Sequence, residues 1–152
     1  MGQRTPGGRP LAWGTGPAFE RVATDDVPVM FVSEDGAPPV AAPRAFARLV
    51  ASLPSLRGRR FYGIFDRGTG EYRACVAIEE GDDPLAAGGS RGVIPGGVYL
   101  RARLRGPHDE MTPRIRETFD AMAAADMPDR ARRAVEFYRR SDELILLFPV
   151  TS

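Results

Sequence analysis

Arg60-Phe-Tyr-Gly-Ile-Phe-Asp66, then Arg67-Gly68-Thr69-Gly70, then Glu71-Tyr-Arg-Ala-Cys-Val-Ala-Ile78, are two β-rich runs joined by a short glycine-containing loop. That pattern predicts a hairpin. Just upstream, Phe46, Leu49, Val50 and Leu53 recur at i, i+3, i+4 and i+7, with Pro43 suited to the first turn of a helix and Pro54 to its end. Before the helix, a strand is expected from Phe19 to about Ser33, broken near Asp25-Asp26-Val27-Pro28 and closed by Glu34-Asp35-Gly36. The order is therefore strand, helix, hairpin.

The same order follows again. Val98-Tyr-Leu-Arg-Ala-Arg-Leu104 alternates as a strand, and Thr112-Pro113 can open a helix that carries Ile115, Phe119 and Met122. Ala134-Val-Glu-Phe-Tyr138 and Leu144-Ile-Leu-Leu-Phe-Pro-Val150, around a turn at Arg140-Ser141-Asp142, form a second hairpin. Between the halves, Gly88-Gly89-Ser90-Arg91-Gly92 is expected to be a loop. The expected fold is α+β: duplicated β-α-β-β modules with pseudo-two-fold symmetry, a largely antiparallel sheet and a central cleft along the seam. Residues 1–17 are expected to form a flexible arm and 18–152 one domain, with halves at approximately 18–82 and 93–152.

Composition limits the chemistry. The chain has 152 residues, 43% hydrophobic and 27% charged, with a formal net charge of +1, which suits one folded domain. All 21 basic residues are arginine, Lys and Asn are absent, and Gln3 is the lone glutamine. Lysine-dependent Schiff-base and P-loop chemistry is thereby excluded. One cysteine (Cys75) and one histidine (His108) offer neither a disulfide framework nor a Cys/His zinc site, so no metal and no cofactor are expected. No Gly-rich phosphate fingerprint lies between a strand and a helix, and no G-x-S-x-G motif occurs. The net charge gives no field for nucleic acid. No apolar run approaches the roughly 20 residues of a membrane span, and the N-terminus lacks a signal-peptide core, so a cytoplasmic location is expected. The arginines at 57–60 and 130–140 read either as a phosphate patch or as solvated rims of strands and helix ends.

Two features carry chemistry. In Val135-Glu136-Phe137-Tyr138, alternation puts Glu136 and Tyr138 on one sheet face and Val135 and Phe137 on the other. A carboxylate within an apolar strand must meet an arginine, meet solvent, or face a cavity that raises its pKa and suits it to acid–base work. The second feature is four tyrosines (62, 72, 99 and 138) on four expected strands, each with a hydroxyl that needs a partner. An aromatic-lined pocket with one carboxylate suits a flat hydrophobic ligand. Cys75 in mid-strand reads as a packed side chain, and His108 as part of a polar loop before the second helix.

Taken together, Tyr72-Arg-Ala-Cys-Val-Ala-Ile78, Ile94-Pro-Gly-Gly-Val-Tyr99, Arg105-Gly106-Pro107, Val135-Glu136-Phe137-Tyr138 and Leu147-Phe148-Pro149-Val150 resemble the GyrI-like family over about residues 18–151. That family includes a gyrase inhibitory protein and the effector-binding domains of multidrug-responsive regulators. The resemblance implies the duplicated fold and a cleft glutamate in the penultimate strand that engages the ligand, matching Glu136. It further implies that Tyr72 and Tyr99 line the cleft, and Tyr138, which alternation puts on the face of Glu136, is expected to be its catalytic companion. Tyr62 and Phe148 complete the ligand-contacting set, with Trp13 either anchoring the arm or covering the cleft. Some standalone relatives hydrolyse the cyclopropane of DNA-alkylating cyclopropanoid natural products. A detoxifying, self-resistance hydrolase of that type is therefore expected, beside a non-catalytic drug-binding or sensing module and a gyrase-modulating partner protein.

Overall fold

The computed structural model describes residues 19–83 and 89–152. Ten elements follow in chain order: β1 (Glu20–Thr24), β2 (Val27–Asp35), α1 (Pro38–Ala51), β3 (Phe61–Asp66), β4 (Glu71–Ala77), β5 (Ser90–Ile94), β6 (Gly97–Arg105), α2 (His108–Ala125), β7 (Val135–Arg140) and β8 (Glu143–Pro149). The fold is α+β, as expected, with every strand pair antiparallel in one eight-stranded sheet of order β1-β6-β8-β7-β3-β4-β2-β5.

Each half holds one strand more than expected. The long first strand divides at Asp25-Asp26 into β1 and β2, where the break was anticipated. Ser90–Ile94 is β5 rather than loop, pairing with Val27–Phe31 of β2. Glycine and serine weaken a strand signal, and only the open edge of β2 makes this segment a strand.

Both helices begin earlier than their prolines suggested. Pro38 and Pro39 occupy the first turn of α1, where a backbone N–H has no intrahelical partner anyway, and Pro43 lies inside the helix. α2 opens at His108 with Asp109 and Glu110 in its first turn, and Pro113 lies inside it at the corresponding sixth position. Those two acids complement the positive end of the helix dipole. Ala41, Ala45 and Leu49 form the buried stripe of α1, and Met111, Thr118 and Met122 that of α2.

Packing of the helices defines the two sides of the sheet. α1 lies on β2 and β4, and α2 on β6 and β8. Met30, Val32, Tyr72, Ala74 and Val76 form the core under α1, and Leu100, Ala102, Leu104, Leu144 and Leu146 the core under α2. The central strands β3 and β7 run between these two cores. On the opposite side, Val29, Tyr62, Cys75, Ala77, Ile94 and Val135 form a third core. Ile94 of the edge strand β5 shares that core with Val135 four strands away, so the sheet is curled.

The two α-side cores are separate clusters of buried side chains that meet where Phe46 and Phe61 of the first approach Tyr138 of the second. Leu104, fully buried under α2, is expected to lose about 3 kcal/mol of stability on substitution Leu104→Ala, by loss of transfer energy and the cavity left behind. Chemical denaturation measures it.

Candidate functional site

Directly paired residues of neighbouring strands point to the same side of a sheet. The register places Val32, Ala74, Gly63, Glu136, Leu146 and Ala102 in one row across β2, β4, β3, β7, β8 and β6. Glu136 is the single ionisable residue of that row. It lies on the helix side, at the β3–β7 pair left between α1 and α2, and is 7% exposed.

Two tyrosine hydroxyls meet this carboxyl. Tyr138, two residues along β7, donates to Oε1 at 2.6 Å, and Tyr72 of β4 donates to the same oxygen at 3.0 Å. Each hydroxyl has one proton to give, so the 3.3 Å approach between the two tyrosine oxygens adds no third bond while both serve Glu136. Oε2 receives no hydrogen bond from the described residues.

Gly63 makes the arrangement possible. Tyr72 stands on β4 and Glu136 on β7, so the tyrosine must reach across the intervening strand β3. A Cβ at Gly63 would sit 2.0 Å from the Tyr72 hydroxyl and 2.7 Å from Glu136 Oε1. Glycine in the middle of a strand is the sequence signal for such a close approach.

An aromatic shell surrounds the three polar groups. Phe46 of α1 meets Tyr138 edge-on at 5.2 Å between ring centroids, Tyr72 at 6.2 Å and Phe61 at 6.4 Å. Phe61 is the direct cross-strand partner of Tyr138. Phe46 thus brings α1 down onto the site; helical periodicity accounts for its burial, but its position against the Tyr72 and Tyr138 rings is set by tertiary packing.

Burial dominates the electrostatics. It pushes the Glu136 carboxyl above the usual carboxylate range, against the opposing influence of the Tyr138 and Tyr72 hydrogen bonds and of His108. The Tyr72 and Tyr138 hydroxyls are likewise raised, by burial first and then by the neighbouring carboxylate, so both remain protonated donors. Of the three fates open to a strand glutamate, an arginine partner is not the one adopted among the described residues: none of their arginines forms an ion pair with Glu136, although they form 15 ion pairs elsewhere.

The remaining expected site residues lie apart from Glu136. Tyr62 stacks on Phe137 at 4.9 Å on the opposite side of the sheet. Tyr99, on that side of β6, donates to the Pro95 carbonyl and carries the Arg132 guanidinium 4.7 Å above its ring. Arg132 in turn holds Val98, Val150 and Asp129, which makes Tyr99 part of a structural clamp. Phe148 shares the helix side but packs on Phe119 of α2. Trp13 lies outside the described residues. Cys75 is buried opposite the helices, its thiol pushed up to about 12 by burial, and His108 is the exposed first residue of α2 rather than part of a loop. Among the described residues no cluster of His, Cys, Asp and Glu could hold a metal, and no helix is long and apolar enough to cross a membrane.

No family model matches the chain, and no curated protein does. Solved structures match in fold. An integron cassette protein from the mobile metagenome of Vibrio cholerae is 12% identical at TM-score 0.69, with 88% of this chain and 95% of that one covered. A hydrolase from Listeria innocua is 13% identical at TM-score 0.58, with 94% and 97% covered. The protein SAV2435, solved bound to tetraphenylphosphonium, is 11% identical at TM-score 0.60, with 88% and 94% covered. These folds fit the GyrI-like arrangement that the sequence resembles; at such identities the likeness is one of fold alone.

Two outcomes follow from the geometry. Gly63→Ala forces Tyr72 and Glu136 apart and is expected to cost about 1–3 kcal/mol, the range for overpacking a filled interior, measured by chemical denaturation. The pH dependence carries a definite sign. Glu136 has a folded pKa above its unfolded one, so its contribution to stability is complete below the unfolded value and is lost as pH rises through the folded value. Relative to wild type, Glu136→Gln is therefore expected to gain stability as pH is raised from about 4 to about 8, read from denaturation midpoints at successive pH values.

Proposed function

We propose that the chain is a cofactor-independent hydrolase that detoxifies a flat, hydrophobic, electrophilic small molecule at Glu136. The observation that carries this is a buried carboxyl of raised pKa, without an ion-pair partner among the described residues, whose Oε1 accepts from two tyrosine hydroxyls packed against Phe46. A carboxyl whose pKa is raised by burial is suited to general acid–base work. Two neighbours in fold space from Listeria innocua are hydrolases, which supports the class of reaction.

The substrate type that suits these residues is a cyclopropane conjugated to a dienone, as in DNA-alkylating cyclopropanoid natural products. Water attacks the strained carbon, the ring C–C bond breaks, and its electron pair flows to the dienone carbonyl oxygen as the ring aromatises. Glu136 takes the proton from water. Tyr138 is the hydroxyl fitted to hydrogen-bond the carbonyl, because it is partly exposed whereas Tyr72 is fully buried. Tyr72 then retains its bond to Glu136 and holds the carboxyl in place. The product phenol receives the proton delivered to Glu136, and atoms balance without a cofactor. In a cell making such a compound the reaction gives self-resistance.

A second function is favoured by the same unpaired carboxyl: capture of a lipophilic cation without turnover, with ring faces adding cation–π attraction. SAV2435 bound to tetraphenylphosphonium supports it.

Incubating the protein with a cyclopropanoid alkylator, and following loss of the dienone absorbance over many equivalents, tests the hydrolase. Wild type is expected to turn over, and Glu136→Gln to lose about 100-fold or more in rate, the lower range for removal of a general base. Stoichiometric binding without turnover, accompanied by Glu136-dependent binding of tetraphenylphosphonium, would replace the hydrolase with the sequestering protein.

A further inference from the structure

A second constellation lies on the other side of the sheet, where β6, β7 and β8 end together. Glu143, the first residue of β8, has a side chain only 5% exposed. Four arginines converge on it. Arg103 Nε lies 2.9 Å from Oε2 and Arg139 Nη1 2.9 Å from Oε1, and these two neutralise the carboxylate directly. Arg105 Nη2 and Arg140 Nε stand farther off, at 3.5 and 3.8 Å, with side chains 69% and 66% exposed.

The backbone is shaped to gather them. Arg103 and Arg105 alternate onto one side of β6, and Arg105 is the direct partner of Glu143. On β7 the register shifts between Tyr138 and Arg140: Tyr138 pairs with Leu144, but Arg140 pairs with Glu143. The bulge sets two consecutive arginines against one glutamate, which regular alternation forbids. Gly106 N–H donates to the Asp142 carbonyl at 3.0 Å and ties the turn after β7 to the end of β6.

Charge does not balance at this corner. A cavity of about 140 Å³ is lined by Arg105, Arg139, Arg140, Asp142 and Glu143. Even if Asp142 is counted with Glu143, the four guanidinium groups leave two positive charges unmatched, and none of the four has another carboxylate partner among the described residues. Asp109 and Glu110, in the first turn of α2, do not line the cavity. The arginines hold the Glu143 carboxyl below the usual range despite its burial, so it stays charged and keeps them converged.

We propose that this corner is a binding site for a small phosphate-bearing dianion, held by Arg105 and Arg140 with Arg139 beside them. Guanidinium groups match phosphate oxygens with paired N–H donors, and a dianion matches the two unmatched charges. The cavity far exceeds the 10–15 Å³ or so that one water needs. A net charge of +1, from 20 acids against 21 arginines, gives the chain no basic excess, so the ligand is a small molecule rather than a nucleic acid. The site is separate from Glu136, which faces the helices.

Calorimetric titration of inorganic phosphate into the full chain, in Tris buffer at low ionic strength, tests it. Saturable one-to-one binding is expected, weakened about tenfold or more in Arg105→Ala/Arg140→Ala. The remote pair Arg67→Ala/Arg116→Ala removes the same charge from the surface beside Asp120 and is expected to leave binding within about twofold of wild type. Acetate at equal ionic strength is expected to bind more weakly than phosphate. Absence of saturable phosphate binding, equal weakening in both double variants, or acetate binding as tightly as phosphate would each overturn the proposal.

Discussion

One carboxyl group, Glu136, sits between two α-side cores with no ion-pair partner among the described residues. Burying an ionised carboxylate without a partner costs several kcal/mol, and tyrosine hydroxyls return only part of that. The surrounding structure is arranged around this constraint. Gly63 clears β3 so that Tyr72 can cross it, Tyr138 reaches back along β7, and Phe46 carries α1 over both rings. An apolar residue at position 136 would have continued the row from Ala74 to Leu146 with none of these accommodations. The acid–base role proposed for Glu136 accounts for so costly a group at the junction of the two helix-covered cores.

Arginine usage sharpens the contrast. With 21 arginines in the chain, a partner for a buried acid is easily found. Glu143 has four within 4 Å, and Asp82 has the Arg59 guanidinium at 2.7 Å. Glu136 has none among the described residues, because its face of the sheet is supplied by Val32, Ala74, Leu146 and Ala102 and by the apolar stripes of α1 and α2. The same amino acid is therefore shielded on one side of the sheet and left to two neutral hydroxyls on the other. The difference is a property of the strand register, not of composition.

Strand and hairpin patterns, one helix per half, the burial of Cys75 and the shared face of Glu136 and Tyr138 were all legible from periodicity. These depend on neighbours within a few residues, where the two-residue repeat of a strand and the 3.6-residue repeat of a helix act directly. Helix starts were misplaced because Pro43 and Pro113 carry the usual mark of a first turn, yet in each case one turn of helix precedes them. β5 escaped notice because Ser90-Arg91-Gly92 has no apolar pattern of its own and gains its strand from β2. Tyr62 and Tyr99 looked equivalent to Tyr72 because every one is a tyrosine on a strand; only their phase relative to the helix-covered side distinguishes them.

The sequence by itself therefore determined the local elements, the α+β class, and a carboxylate and a tyrosine two residues apart on one strand face. Tertiary structure alone decided that Tyr72 joins them and that Tyr62, Tyr99 and Phe148 do not. It also decided that Gly63 is the residue that lets the site close and that two consecutive arginines meet Glu143. The physical reason is register: cross-strand neighbours are set by long-range pairing, and a shift of one residue moves a side chain to the other face. Pairing across 64 residues between Tyr72 and Glu136 has no counterpart in any local pattern.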